Sequence, residues 1–179
     1  MDLLKRICCC CRHQSLYFAN ANAAVLLFLA AVAYTIAMAT NWWFTMPPHS
    51  FYGLWSVTFC DFLQCQLIPA SGDSPNWYLA VQVLSVLGYI FLILAVVAVI
   101  FLLVTNSHPS KVLCVQLSKA SGLCVLSATF MSMAIIVFYT NLLMESSPKY
   151  RPNISYSSGA VCLACVLELC AAALLNKKV

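Results

Sequence analysis

Cysteine supplies most of the reactive side chains in this sequence, and its eleven copies occur in three settings. Cys60 and Cys65 lie in a polar stretch and are separated by four residues. Four adjacent cysteines form a run near the N-terminus, and the others lie in or beside apolar segments, where cysteine acts as a small packing residue. A secreted disulfide scaffold would instead carry cysteines throughout its loops. The chemistry to consider is therefore one disulfide and modification of the N-terminal run.

The N-terminal run consists of Cys8, Cys9, Cys10 and Cys11. Basic residues flank it on both sides. Thiols next to basic residues and beside an apolar helix suit S-palmitoylation, because acyl chains and positive charge together hold a tail to the inner leaflet. Free thiols are the alternative. A zinc site is not expected, since adjacent cysteines cannot all converge on one tetrahedral ion.

Glu168 is the one charged residue deep within an apolar segment. Acids in such positions are costly and often functional, although a protonated or hydrogen-bonded glutamate that locks helices together is the alternative. Lys119 could reach toward it from the nearer end of the bundle. The three histidines lie in separate segments, and no nucleophile–base set or phosphate loop occurs. The sequence therefore predicts neither an enzyme nor a bound metal or cofactor.

The composition points to a lipid bilayer as the main partner of the chain. It is 63% hydrophobic and only 8% charged, far from the values of soluble domains. No Lys or Arg occurs between Arg12 and Lys111, so the net charge of +4 cannot form a nucleic-acid surface. No small-molecule substrate is indicated either.

Four apolar runs predict an all-α transmembrane protein that forms a single tetraspan domain over residues 1–179. Each run is long enough for the ~20 residues that a helix needs to cross the hydrocarbon. The predicted spans are 19–40, 78–104, 120–140 and 157–175, joined by loops 41–77, 105–119 and 141–156, with tails 1–18 and 176–179. A signal peptide is disfavoured for the first run, because signal cores contain only ~7–15 apolar residues.

The basic residues predict the orientation. Seven of the nine lie on the side of the two termini, and only Lys149 and Arg151 lie on the other. The positive-inside rule then makes both termini cytosolic and loop 41–77 extracellular or lumenal. That compartment is oxidising, so Cys60 and Cys65 can pair, in a six-residue loop worth ~2 kcal/mol. We expect a plasma-membrane protein, with an intracellular vesicle membrane as the alternative.

Loop 41–77 is too aromatic for a flexible linker. Val57, Thr58 and Phe59 favour a strand, and segments rich in Pro, Gly and Ser at 47–48 and 71–75 mark turns. The pattern predicts a small antiparallel sheet on the outer ends of the helices. In the second outer loop, Asn153 begins an N-glycosylation sequon, whose use its closeness to the fourth span leaves open.

The order of tryptophan, glycine and cysteine in this loop resembles the pattern of the claudin, peripheral myelin protein and epithelial membrane protein superfamily. The residues that carry the resemblance are Trp43, Gly53, Leu54, Trp55, Cys60 and Cys65. The segment 39–43, ATNWW, is similar to the end of the first span in lens membrane protein and claudin-domain-containing proteins. The four-residue gap between the cysteines is similar to that short-loop branch.

The resemblance implies a left-handed four-helix bundle topped by a β-sheet, with Trp43 and the Gly53-Leu54-Trp55 segment wedging the sheet onto the helices. It implies a loop that mediates contacts within or between membranes, through self-association or with other membrane proteins. An auxiliary subunit of a channel or receptor is the alternative. If the motif is purely structural, residues 45–52 and 66–76 would carry specificity.

Overall fold

The computed structural model describes residues 2–46, 50–60, 64–70, 75–105, 111–145 and 151–176, with side chains outside 2–18 and 105–117. Four long helices dominate these residues: α1 (Asp2–Ala39), α2 (Asn76–Thr105), α3 (Lys111–Glu145) and α4 (Tyr156–Asn176). Each contains a stretch long and apolar enough to cross a membrane, namely Ala19–Ala39, Asn76–Val104, Ser118–Glu145 and Tyr156–Asn176. The chain is therefore built as a multi-pass membrane protein.

Two of the helices extend well beyond the predicted spans. Helix α1 includes nearly all of the predicted tail, and α3 begins nine residues before the expected start at 120. Polarity ends a membrane span but does not end a helix, whose backbone continues until a breaker interrupts it. Residues 1–40 contain neither Pro nor Gly, so the first helix runs on through the basic segment.

The helices form a four-helix bundle, as predicted. Helix α1 packs on α2 and α4, and α3 packs on the same two neighbours. The outward faces are apolar, with exposed side chains such as Phe28, Ile90, Ile136 and Leu163. In water such large apolar faces would cause aggregation, whereas in a bilayer lipid tails solvate them.

Small residues bring neighbouring helices close together. Ser127 Oγ of α3 donates to Gly88 O of α2 at 2.8 Å. Between α3 and α4, the sulfur of Cys165 lies 3.8 Å from both Ala128 O and Ser132 Oγ. Ala128 and Ser132, two small residues four positions apart in α3, thus face α4.

A five-stranded antiparallel sheet lies at one end of the bundle, called here the sheet end. Its strands are β1 (Phe44–Met46), β2 (Ser50–Tyr52), β3 (Ser56–Cys60), β4 (Cys65–Pro69) and β5 (Asn153–Ile154), in the spatial order β4-β3-β2-β1-β5. The predicted small antiparallel sheet is confirmed. Strand β5 comes from the segment between α3 and α4 and was not predicted, because two residues are too few to show an alternating pattern.

Cys60 and Cys65 form the predicted disulfide. They stand directly opposite each other at the tip of the β3–β4 hairpin. Strand β4 is an edge of the sheet, paired only with β3, and every one of its residues is exposed. The disulfide therefore holds in register a strand that little else contacts.

Reduction of this bond should destabilise the protein. We expect the double substitution Cys60→Ser with Cys65→Ser to lower stability by ~2 kcal/mol and to make thermal unfolding insensitive to reductant. The matched control is Cys162→Ser with Cys170→Ser, two exposed free cysteines of α4, which should leave the reductant effect of the wild type intact. Circular dichroism melts in detergent provide the measurement. A double variant as stable as oxidised wild type would contradict this role.

Candidate functional site

The C-terminus of α1 is capped by tryptophan side chains from the loop that follows it. Trp43 Nε1 donates to Ala37 O at 2.8 Å, and Trp55 Nε1 donates to Met38 O at 2.9 Å. The last carbonyls of a helix have no intrahelical partner, and such groups are costly where lipid replaces water. Trp43 and Trp55, called here the tryptophan cap, satisfy two of them and thereby tie the sheet to α1.

Gly53 allows the chain to pass close to the end of α1. A Cβ atom at this position would lie only 2.5 Å from Asn41 Cα, a distance that a side chain cannot occupy. The neighbouring Leu54 is fully buried. On the other side, Tyr78 OH donates to Gly53 O and Gln82 Nε2 donates to Leu54 O at 3.0 Å. The same short segment therefore contacts α1 through Trp55 and α2 through its backbone carbonyls.

The first turn of α4 docks on the backbone of Trp42 and Trp43. Ser157 N donates to Trp42 O at 3.3 Å, and Ser158 Oγ donates to Trp43 O. Ser157 and Ser158 are fully buried, whereas a Cβ on Gly159 would meet nothing within 4 Å. The two serines therefore allow close packing here, whereas Gly159 faces outward. The loop carbonyls thus satisfy donors that a helix N-terminus leaves unpaired.

Phe138 of α3 is the centre of an aromatic cluster beneath the sheet. It is fully buried, and its ring centroid lies 5.0 Å from Phe44, 5.4 Å from Tyr78, 5.9 Å from Trp77 and 6.0 Å from Trp43. Such tilted and edge-to-face pairs each add ~0.5–1.5 kcal/mol to simple burial. Nothing in the sequence distinguishes Phe138 from its neighbours, because the third span is apolar on all sides and no periodicity shows which face turns inward.

The free lateral edge of the sheet offers an exposed surface, called here the β4 edge, made of strand β4 and the adjoining Phe59. Leu67 is 58% exposed, and Phe59 and Ile68 are also exposed. An edge strand carries a row of unpaired N–H and C=O groups that can pair with another strand. Because exposed apolar side chains lie beside those groups, this edge is the part of the described sheet best suited to pairing with another chain.

Glu168 is fully buried at the centre of the bundle. Among the described residues, neither of its carboxyl oxygens has a hydrogen-bond partner, and Ser85 Oγ is likewise unpaired. Tyr34 OH donates to the carbonyl oxygen of Ser85 at 3.1 Å. The expectation that Lys119 reaches Glu168 is wrong: Lys119 is exposed to the bundle surroundings, and the carboxylate turns to the interior.

The remaining predicted positions lie apart from the tryptophan cap. Asn153 is exposed on β5, where it pairs with Thr45 of β1. The run from Cys8 to Cys11 lies in the first part of α1, where the side chains are outside the described ones. Within the described residues, no three His, Cys, Asp or Glu side chains converge in a way that could hold a metal ion.

Comparison with known proteins adds no relative, since no protein-family model matches the chain and no curated protein matches it either. The structure itself defines the class: a multi-pass membrane protein in which a disulfide-linked sheet closes one end of a four-helix bundle.

The two indoles of the tryptophan cap should differ in their contribution to stability. Trp43 is fully buried, so Trp43→Phe removes a hydrogen bond and leaves a cavity, and we expect a loss of about 1–3 kcal/mol. Trp55 is 43% exposed, so in Trp55→Phe water can replace the lost donor, and the loss should stay below ~1 kcal/mol. Circular dichroism melts of the two variants provide a matched comparison. Equal losses of stability would show that Trp43 does not contribute more than Trp55 to attaching the sheet to α1.

Proposed function

We propose that this chain is a non-enzymatic, claudin-like tetraspan protein, a divergent short-loop member of that superfamily, whose sheet mediates cell–cell or lateral membrane contacts. The observation that carries the proposal is the exposed β4 edge on a sheet fixed to three helices. The residues that carry the family resemblance also support the proposal, because here they hold the sheet in place. Trp43, Trp55 and Gly53 attach the sheet to α1 and α2, and the two cysteines secure its edge.

A sheet attached in this way is well suited to binding another protein. Rigid attachment means that little conformational entropy is lost on association, so more of the contact energy remains as affinity. An added strand gains main-chain hydrogen bonds, and side chains of the edge select the partner. A second copy of the same chain offers the same edge and the same apolar Leu67, which makes self-association the first expectation.

The proposed setting is the plasma membrane, with both termini in the cytosol and the sheet outside the cell. The excess of basic residues on the side of the termini supports this orientation. In that orientation Cys8 to Cys11 are available for palmitoylation, Asn153 is exposed to the glycosylation machinery, and the disulfide lies in an oxidising compartment. An intracellular vesicle membrane with the sheet in the lumen has the same topology.

A second candidate function, an auxiliary subunit of a channel or receptor, is supported by the outward face of α4. Gly159 and Cys162 are exposed there, three residues apart, and a Cβ on Gly159 would meet nothing. Small residues on a lipid-facing surface allow the helix of another membrane protein to approach closely. Such a partner would bind laterally and leave the β4 edge uncovered.

The orientation can be tested with epitope tags at the two termini of the chain. We expect antibodies to detect both tags only after the cells are permeabilised, because the positive-inside rule retains the basic ends in the cytosol. In the same cells, glycosidase treatment should increase gel mobility if Asn153 is used, and the Asn153→Gln variant should not shift. Staining of either tag on intact cells would contradict the proposed topology.

The contact function can be tested by reconstituting the protein in vesicles. We expect crosslinks between copies within one vesicle, or clustering of two separately labelled vesicle populations, and we expect Leu67→Glu to reduce them roughly tenfold because a charge blunts an edge strand. Gln64→Glu is the matched control, since it places the same charge just outside the strand.

In native membranes, crosslinking followed by mass spectrometry separates the two candidates. Copies of this chain linked through β4 support membrane contacts, and a stoichiometric channel or receptor linked through α4 supports the auxiliary subunit. A wild-type protein that forms no crosslinks of either kind would contradict both.

A further inference from the structure

A pocket of about 280 Å³ lies between the sheet and the sheet ends of α2 and α3. The sheet contributes Tyr52, Phe59 and Ile68, and the helices contribute Trp77, Tyr78 and Glu145. The volume is slightly below the ~300–1,000 Å³ of sites for drug-sized ligands. It therefore suits a small group rather than a large molecule.

Two aromatic pairs form much of the lining. Tyr52 and Phe59 of the sheet meet edge to face with centroids 6.2 Å apart, and Trp77 and Tyr78 of α2 lie 5.4 Å apart. The face of an aromatic ring carries negative potential and attracts a cation within ~6 Å of its centroid. Because the sheet and a helix both supply rings to the lining, a cation in the pocket has aromatic neighbours from both elements.

Among the described residues of the lining, Glu145 is the only charged one. Its Oε1 accepts a hydrogen bond from Trp77 Nε1 at 2.8 Å, which fixes the carboxylate against the aromatic wall. Within the described part of the chain no cation pairs with it, and one hydrogen bond uses only a fraction of the ~four acceptor sites of a carboxylate. The negative charge also reaches across the pocket, since the pKa of Tyr52 is raised by burial and further by Glu145.

The chemistry of the lining favours one kind of cation. A primary ammonium or a guanidinium has three to five N–H donors that need acceptors. Among the described lining residues the side-chain acceptors are the Glu145 carboxylate and two tyrosine hydroxyls, one of which, Tyr78 OH, is already bonded to Gly53 O. A quaternary ammonium has no N–H group and needs only negative potential and apolar contact. We propose that this aromatic pocket with its single carboxylate, Glu145, binds a trimethylammonium group.

The position of the pocket identifies the sources of such a group. Trp77 is the second residue of the apolar span of α2 and Glu145 is the last of α3, so the pocket opens at one boundary of the spans. Lipid headgroups occupy this level, where Trp and Tyr side chains are commonly found. A choline headgroup of a neighbouring lipid and a free choline-like molecule share the chemistry, and the experiment distinguishes them.

The test uses the full chain, purified in a maltoside detergent that carries no choline. Tetramethylammonium and choline are titrated by calorimetry, beside the uncharged carbon isostere of choline, in which a tert-butyl group replaces the trimethylammonium group. We expect both cations to bind and the isostere to bind roughly tenfold more weakly, since it lacks the charge that the rings and Glu145 attract. In nanodiscs, native mass spectrometry compares retained phosphatidylcholine with phosphatidylglycerol of the same acyl chains.

Three variants complete the test. Glu145→Gln keeps an acceptor for Trp77 and removes the charge, and Phe59→Leu removes one ring; each should weaken cation binding roughly tenfold without lowering the unfolding temperature. Tyr156→Leu, an exposed aromatic outside the pocket, is the matched control and should bind as wild type does.

Binding of the free cations or selective retention of phosphatidylcholine, if weakened by Glu145→Gln, supports the site and identifies its source. Equal binding of choline and its isostere would overturn the proposal. The absence of both free-cation binding and selective lipid retention would overturn it as well, as would a folded Glu145→Gln variant that binds as wild type does.

Discussion

The structure depends on how α1 ends. A helix that stops at a membrane boundary leaves carbonyl oxygens without an intrahelical partner, and where the helix end is buried a protein donor must satisfy them. Trp43 and Trp55 supply indole N–H groups to Ala37 and Met38, and each indole also brings a large apolar surface to the junction. One pair of side chains therefore bonds two carbonyls of the helix end and ties the sheet to it.

That constraint divides the sheet into a fixed part and a free part. Hydrogen bonds next to strands β1 and β2 reach three helices. Trp43 donates to α1, Tyr78 of α2 donates to Gly53, and Ser158 of α4 donates to Trp43. Strand β4 is held by β3 and by the disulfide, and its residues are exposed. Of the two segments expected to carry specificity, 66–76 contains most of this free edge, whereas 45–52 contributes largely to paired inner strands. Selectivity for a partner is therefore better placed at β4.

The sequence was sufficient for the four spans, the small sheet and the disulfide, because each has a local signal: apolar length, β-branched and aromatic runs, or two nearby cysteines. The contacts that join these elements have no such signal. Phe138 lies in a span that is apolar all round, and the aromatic rings around the pocket meet only after the loop folds onto α2 and α3. The spacing of Gly53 indicated a special position, and only the structure shows that Asn41 requires it.

The two glutamates of the described residues show how far the surroundings determine the chemistry of one residue type. Glu168 attracted attention in the sequence because it interrupts an apolar run, yet it is fully buried in the bundle, and among the described residues its carboxyl oxygens have no hydrogen-bond partner. Glu145 looked unremarkable at a helix end. It is accessible, oriented by Trp77 and surrounded by aromatic rings that leave room for a ligand. Because binding requires access as well as charge, the acid at the sheet end is the better candidate for recognition, and the buried one is the better candidate for a role inside the bundle.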